Sequence, residues 1–126
     1  MDIQSAKASF FLATTKASAC RNFYEGVLGL DLVEEDDFAV VYQLAGAELR
    51  ISKVPQFTPQ PFTVLDWQVE DILAMRAHLV SKGVEPLVFD GMGQDENRIW
   101  TVPGTNIRIL WFKDPDENVL SVSQRA

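Results

Sequence analysis

The sequence predicts an α+β fold of paired βαβββ modules, which form a curved, cleft-enclosing mixed sheet with the helices outside. Three observations predict it. The length of 126 residues suits a single domain. The order of helical and strand patterns starts again after residue 62, and Tyr42–Ile51 locally resembles Trp100–Ile109, as expected of two copies of one unit. Each module alone would leave one sheet face bare, so the two are expected to pair.

The first module, about residues 1–54, contains one helix and alternating strand patterns. Apolar or small residues recur at helical spacing and define one buried stripe, formed by Cys20, Phe23, Tyr24, Val27 and Leu28. Thr14-Thr15 supplies an N-cap for this helix and Gly29 a C-cap. The predicted strands are Ser9–Ala13, Leu30–Glu34, Phe38–Leu44 and Ala47–Lys53.

Residues 55–61 contain three prolines and are predicted to form an extended linker. The second module, 62–126, then repeats the order. Its helix begins at Glu70-Asp71, where acidic side chains suit the positive helix end, and it ends at Gly83. The predicted strands are Thr63–Val69, Glu85–Phe89, Arg98–Val102, Asn106–Phe112 and Val119–Ser123.

An Asp-Pro turn joins the last two predicted strands. It begins at Asp114-Pro115, because proline fixes φ and aspartate can bond its own backbone. Asn118 is predicted to close the turn, since asparagine tolerates left-handed geometry.

Composition and charge exclude several classes of function. The net charge of −7 argues against nucleic acid and against anionic membrane surfaces as partners. No apolar run approaches the ~20 residues of a membrane span, and the first residues lack the pattern of a signal peptide. A single cysteine cannot form an internal disulfide, so a cytoplasmic location is predicted.

Three segments carry a resemblance to a known family. Asn22–Leu30, Trp67–Ile72 and Trp111–Ser121 with its Asp-Pro-Asp turn resemble the vicinal oxygen chelate superfamily, also called the glyoxalase/bleomycin-resistance/dioxygenase group. This fold hosts isomerases, dioxygenases, thiol transferases and drug-sequestering proteins, so the resemblance implies the fold rather than one chemistry. The family usually has glycine where this chain has Glu117. If that position needs φ > 0, glutamate costs about 1 kcal/mol there, and the turn is expected to be reshaped rather than absent.

The resemblance also implies where a metal would bind. Metal-dependent members use four residues, usually His, Glu or Gln, and the matching positions fall on Ser9, Val64, Ser121 and Arg50, with a register that could place Glu48 instead of Arg50. Serine and valine are not transition-metal ligands, and arginine repels a cation. We therefore predict no metal site and no cofactor.

Other reactive groups offer little chemistry. The single histidine, His78, falls opposite the apolar stripe of the second helix and is predicted to be solvent-exposed. Cys20 is predicted to be a small core residue. Glu48 and Asp66 should share the cavity face, where two alternatives stay open: they could bind Mg²⁺, or they could pair with Arg50 or Arg108.

Strand alternation divides the residues of the predicted strands between two faces of the sheet. The cavity side receives Ser9, Phe11, Ala13, Glu48, Arg50, Ser52, Val64, Asp66, Gln68, Val119, Ser121 and Ser123. The helix side receives Phe10, Leu12, Leu49, Ile51, Leu65, Trp67, Leu120 and Val122. Either Trp111 or Phe112 also faces the cavity, while Tyr42 and Trp100 occupy matching places in the repeat. A concave face of mixed polarity is typical of a small-molecule site.

We therefore predict a metal-independent small-molecule binding or sequestering protein. The predicted ligand contacts are Ser9, Phe11, Arg50, Gln68, Trp111 and Ser121, and the ligand is expected to be aromatic or, through Arg50, anionic. One alternative is a lyase, isomerase or dioxygenase-type enzyme that uses Glu48 or Asp66, with or without a hard divalent metal. Another is an interaction role, because the resemblance implies a homodimer formed through sheet edges.

Overall fold

The computed structural model describes residues 2–126, in which the chain forms two compact units. The first unit ends at Thr58 and the second extends from Pro59 to Ala126; we call them the first and second modules. Each contains one mixed sheet of four strands. The predicted α+β class with two βαβββ modules is confirmed.

The first module places its helix between the first two strands. The elements are β1 (Ala8–Thr14), α1 (Ala17–Arg21), a π-helical segment (Asn22–Val27), β2 (Asp31–Glu35), β3 (Ala39–Leu44) and β4 (Ala47–Lys53). The sheet order is β1-β4-β3-β2, and only the β1–β4 pair is parallel.

The predicted first helix is regular only in its first half. Beyond Arg21 the helix widens, and the amide of Leu28 donates to the carbonyl of Phe23, a span of five residues. The N-cap is Lys16 rather than Thr14 or Thr15, and the side chain of Thr14 instead accepts a hydrogen bond from the Lys16 amide at 3.0 Å. π-Helical segments are rare, and side-chain packing accompanies this one.

That packing is aromatic. Tyr24 and Tyr42 are fully buried, and their ring centroids lie 5.8 Å apart. Phe23 contacts Tyr24 edge to face at 5.2 Å. Cys20 is buried on the same helix stripe, as predicted. The first three residues of the predicted stripe are thus part of the core of the first module, whereas Val27 and Leu28 are half-buried.

The second module has the same order of elements. They are β5 (Thr63–Gln68), α2 (Ile72–Ser81), β6 (Trp100–Thr101), β7 (Arg108–Lys113) and β8 (Val119–Gln124). The sheet order is β5-β8-β7-β6, with β5 parallel to β8. Asp71 caps α2, because its carboxylate accepts a hydrogen bond from the Ala74 amide at 3.0 Å.

The predicted strand Glu85–Phe89 is wrong. Pro86 has no amide hydrogen to donate, and the segment gives the sheet one backbone hydrogen bond, from Leu87 N to Trp111 O at 2.8 Å. The side chain of Gln94 takes the place of a neighbouring strand, since it donates to the Leu87 carbonyl and accepts from the Phe89 amide. The predicted strand Arg98–Val102 shortens to β6, because Arg98 adopts a φ of 63°.

Most residues predicted to face the helices are buried. Leu49, Ile51, Leu65, Leu120 and Val122 are all below 9% exposed. Leu12 and Trp67 are half-buried, and Phe10 is 43% exposed on β1, which lies at the edge of its sheet. His78 is exposed on α2, as predicted. Within residues 2–126, the helices are too short or too polar to cross a membrane.

Candidate functional site

A partly buried polar cluster marks one face of the second sheet. Asp66 on β5 is in register with Ser121 on β8. The hydroxyls of Ser121 and Ser123 donate to the two carboxylate oxygens of Asp66 at 2.6 and 2.7 Å. These are the lengths of charge-assisted O–H···O⁻ hydrogen bonds. We call these three residues the Asp66 cluster.

The Asp66 cluster is open to solvent only through its carboxylate. Ser121 and Ser123 are 2% and 1% exposed, whereas the Asp66 side chain is 27% exposed. The sequence allowed Asp66 to pair with Arg50 or Arg108, but its ion pair is with Arg125, at 3.9 Å. The sequence did not indicate Arg125 as the partner of Asp66, because Arg125 lies beyond the last predicted strand.

An aromatic group lies on the same sheet face. Trp111 is in register with Ser121, and its ring contacts Phe89 edge to face at 5.4 Å and Trp100 at 5.9 Å. Phe112 is fully buried on the opposite face, so Trp111 is the residue that shares the face of the Asp66 cluster. We call Phe89, Trp100 and Trp111 the aromatic group.

Trp111 is also fixed by a hydrogen bond that the sequence did not indicate. Its indole Nε1 donates to the Thr63 hydroxyl at 2.9 Å. Thr63 reaches this face because a bulge between Thr63 and Leu65 breaks the alternation of β5 at Val64. Gln68 follows Asp66 by two residues on the same strand and is exposed. The face therefore combines a fixed ring, a carboxylate and an amide.

In the first module the predicted site residues share one face of their own sheet. Parallel pairing of β1 and β4 sets Ser9 beside Glu48 and Phe11 beside Arg50. Phe11 is 66% exposed, and Glu48 and Arg50 are half-buried. The register agrees with the alternation deduced from the sequence.

The charged side chains around α1 form a separate network. The carboxylate of Glu25 accepts hydrogen bonds from Arg21 at 2.7 Å and from the buried hydroxyl of Tyr42 at 2.8 Å. Arg21 also bonds Glu35, which pairs with Lys53 at 2.6 Å. Hydrogen bonds from Arg21 lower the pKa of Glu25, and burial followed by the bond to Glu25 raises the pKa of Tyr42. Each of these groups has a charged or hydrogen-bonded partner, which is typical of a structural network.

The turn after β7 is held together by Asp114. The Asp114 carboxylate is buried and accepts hydrogen bonds from the backbone amides of Asp116 and Asn118 and from the Asn118 side chain, at 2.8–2.9 Å. Glu117, not Asn118, takes the left-handed conformation, with a φ of 68°. The expectation that Asn118 supplies this geometry is therefore wrong.

A metal does not fit the residues at the four positions that the family would use. On the second module, the Ser121 hydroxyl is committed to Asp66, and Val64 has no donor atom. On the first, Ser9 and the cationic Arg50 occupy the positions. In the described part of the chain, no three His, Cys, Asp or Glu side chains are close enough to hold an ion.

Two βαβββ modules in succession define a class of α+β proteins. A comparison with sequence profiles of protein families identifies the superfamily. The Glyoxalase/Bleomycin resistance protein/Dioxygenase superfamily profile matches residues 8–122, and the chain belongs to this superfamily. A comparison with curated proteins finds no match.

Solved structures with similar folds cover nearly the whole chain. A glyoxalase family protein from Enterococcus faecalis is 21% identical, with a TM-score of 0.70 and coverage of 94% of this chain and 95% of that one. TnmS3, an antibiotic binding protein from a Streptomyces species, is 22% identical, with a TM-score of 0.70 and coverage of 96% of each chain. A glyoxalase/bleomycin resistance protein/dioxygenase from Alicyclobacillus acidocaldarius is 12% identical, with a TM-score of 0.71 and coverage of 99% and 95%. At these identities the likeness establishes the fold.

Proposed function

We propose that this protein binds, and by binding sequesters, a small molecule with a planar aromatic part, without a metal and without converting it. The observation that carries the proposal is the aromatic group beside the Asp66 cluster on one sheet face. An apolar platform next to a few fixed polar groups is the usual composition of a small-molecule site.

The platform is held in place before any ligand arrives. Trp111 is restrained by its hydrogen bond to Thr63 and by its perpendicular contact with the ring of Phe89. A ring that is already fixed loses little conformational entropy on binding, and an aromatic ligand stacked on it gains about 0.5–1.5 kcal/mol beyond its buried area.

The Asp66 cluster would orient the ligand through hydrogen bonds. Two hydroxyls hold the Asp66 carboxylate by one hydrogen bond on each oxygen. Each carboxylate oxygen can accept more than one hydrogen bond, so a donor on the ligand can add to this arrangement. Gln68, exposed on the same face, offers both a donor and an acceptor.

Two further lines support binding rather than metal chemistry. The residues at the four family metal positions are poor ligands, as described above. One neighbour of the same fold, TnmS3, is an antibiotic binding protein, which provides a precedent for binding within the superfamily.

The proposal is tested by thermal shift with a library of aromatic compounds, followed by calorimetric titration of those that bind. We expect W111L to abolish the shift. W67F is the matched control, because Trp67 lies on the same strand as Asp66 but in register with the buried Val122, and it should retain the shift. No binding across the library, or equal binding by W111L, would contradict the proposal.

The same samples test the enzymatic alternative. We expect no turnover of bound compounds with or without Mg²⁺ or Mn²⁺, and no stoichiometric metal by elemental analysis. Metal-dependent turnover that is lost in D66N or E48Q would replace sequestration with catalysis.

On the first module, ligand contact by Ser9, Phe11 and Arg50 remains a proposal with its own test. F11A and R50M should each weaken binding if these residues contact the ligand. K7M is the control, since Lys7 lies just before β1 and its ammonium group donates to the Gln43 side chain at 3.4 Å. Homodimer formation is likewise proposed, and sedimentation of the wild-type protein tests it.

A further inference from the structure

The second module contains a small pocket that shares Phe89 with the proposed site. Its volume is about 300 Å³, and its apolar walls include Pro59, Pro61, Leu87 and Phe89. Two charged residues, Lys113 and Glu117, also line it. A volume of this size is at the lower end of ligand pockets and suits a molecule of one or two fused rings. We call it the Lys113 pocket.

The Lys113 pocket adjoins the aromatic group. Lys113 and Trp111 are two residues apart on β7 and share a sheet face, and the ring of Phe89 both lines the pocket and contacts Trp111. A ligand that fills the pocket can therefore reach the platform.

The ion pair in the pocket is loose. Lys113 Nζ lies 3.4 Å from Glu117 Oε1, and the two side chains are 44% and 70% exposed. A close ammonium–carboxylate hydrogen bond measures 2.7–2.9 Å, and an exposed pair of this kind adds little stability. Lys113 is therefore available to a better-placed carboxylate.

Glu117 holds its position at a conformational cost. Its φ of 68° lies in the left-handed region, which favours glycine, and the turn bonded to Asp114 imposes this geometry. Glycine would satisfy the same turn without a side chain. Residues held in unfavourable backbone conformations are concentrated at functional positions.

We propose that the Lys113 pocket is an anion-selective subsite for the carboxylate of a small planar acid, with Lys113 as the counter-ion. Glu117 is an internal carboxylate that occupies Lys113 until the ligand displaces it. This inference deepens the proposed function, on which it rests through the shared Phe89, by giving the ligand an acidic group.

The test is calorimetric titration with naphthalene-2-carboxylate and, as its neutral counterpart, naphthalene-2-methanol. We expect the wild-type protein to bind the carboxylate at least threefold more tightly, and K113M to lose that preference. K82M is the control, because Lys82 lies at the end of α2 outside the pocket, and it should keep the preference.

Two substitutions of Glu117 separate the effect of its charge from the effect of its backbone conformation. E117Q and E117G both remove the competing carboxylate, and each should tighten carboxylate binding about two- to fivefold. Only E117G relieves the left-handed strain, so its Tm should exceed that of E117Q by about 3–5 °C.

Each possible outcome contradicts a different part of the proposal. Equal affinity for the acid and the alcohol, or a preference that survives in K113M, overturns the anion subsite while leaving the proposed aromatic binding intact. Unchanged carboxylate affinity in E117Q overturns the displacement by Glu117. Failure of all aromatic compounds in the library is the separate result that removes the proposed function itself.

Discussion

Removal of the Asp66 carboxylate should destabilise the second module through the two serines that it holds. Ser121 and Ser123 are almost fully buried, and each donates one short hydrogen bond to Asp66. In D66A both hydroxyls lose their acceptor in a place that water reaches poorly. A hydrogen bond to a charged group contributes about 1.5–3 kcal/mol, and a buried unsatisfied hydroxyl costs about 1–3 kcal/mol.

These values set the expected size of the effect. Because the two serines share one carboxylate, their losses do not simply add, and we expect D66A to lower the free energy of unfolding by about 2–5 kcal/mol. D66N keeps an acceptor oxygen and a similar shape, so it should cost about 1 kcal/mol. The measurement is urea unfolding, with the midpoint and the slope fitted separately.

A mutant cycle distinguishes this reasoning from a general loss of packing. In the S121A/S123A background no hydroxyl remains to be orphaned, and D66A should then cost less than about 1 kcal/mol. If D66A costs the same in both backgrounds, or less than about 0.5 kcal/mol in the wild-type protein, the hydrogen bonds of the Asp66 cluster are not what stabilises this face.

Three further predictions concern other parts of the chain. E25A should destabilise the first module by about 1 kcal/mol more than Y42F does. E25A leaves the buried Tyr42 hydroxyl without its acceptor, whereas Y42F leaves Glu25 bonded to Arg21. Urea unfolding of the two variants measures which is less stable. The hydrogen bond with Arg21 lowers the pKa of Glu25 in the folded protein below its ordinary 4.5, so ionised Glu25 stabilises the fold fully above pH 4.5. This contribution is lost as the pH falls through the lowered pKa. E25Q lacks the titrating carboxylate, so its free energy of unfolding should fall less steeply with acid. Q94A should free the segment that carries Phe89 and speed amide exchange there, while Q94E keeps an acceptor for the Phe89 amide and should speed it less.

The register of the sheets was predictable from the sequence because it depends on alternation alone. Leu49, Ile51 and Leu120 are buried, as the pattern required. Ser121 and Asp66 lie on one face of their sheet, as strand alternation predicts. Alternation fails only where the backbone inserts a residue. The bulge at Val64 brought Thr63 to the face of the Asp66 cluster, and nothing in the residue types around it signals a bulge.

The site was harder to predict where its parts are not on strands. Phe89 reaches Trp111 from an irregular segment, whose course is set by the side chain of Gln94 and by Pro86 rather than by a pattern of apolar residues. Arg125, the ionic partner of Asp66, lies past the end of β8. Such contacts depend on tertiary position, which periodicity does not encode. The π-helical segment was missed for a similar reason, since its apolar spacing matches that of an ordinary helix.

The distribution of chromophores gives each module its own optical signal. The chain has two tyrosines, Tyr24 and Tyr42, both in the core of the first module, and three tryptophans, all in the second. Second-derivative absorbance of tyrosine and emission of tryptophan excited at long wavelength therefore report on different halves of the polypeptide in one cuvette, without any added label. Coincident melting curves from the two signals would mean that the halves unfold as one cooperative block, and separated curves would mean that either half can persist while the other is lost.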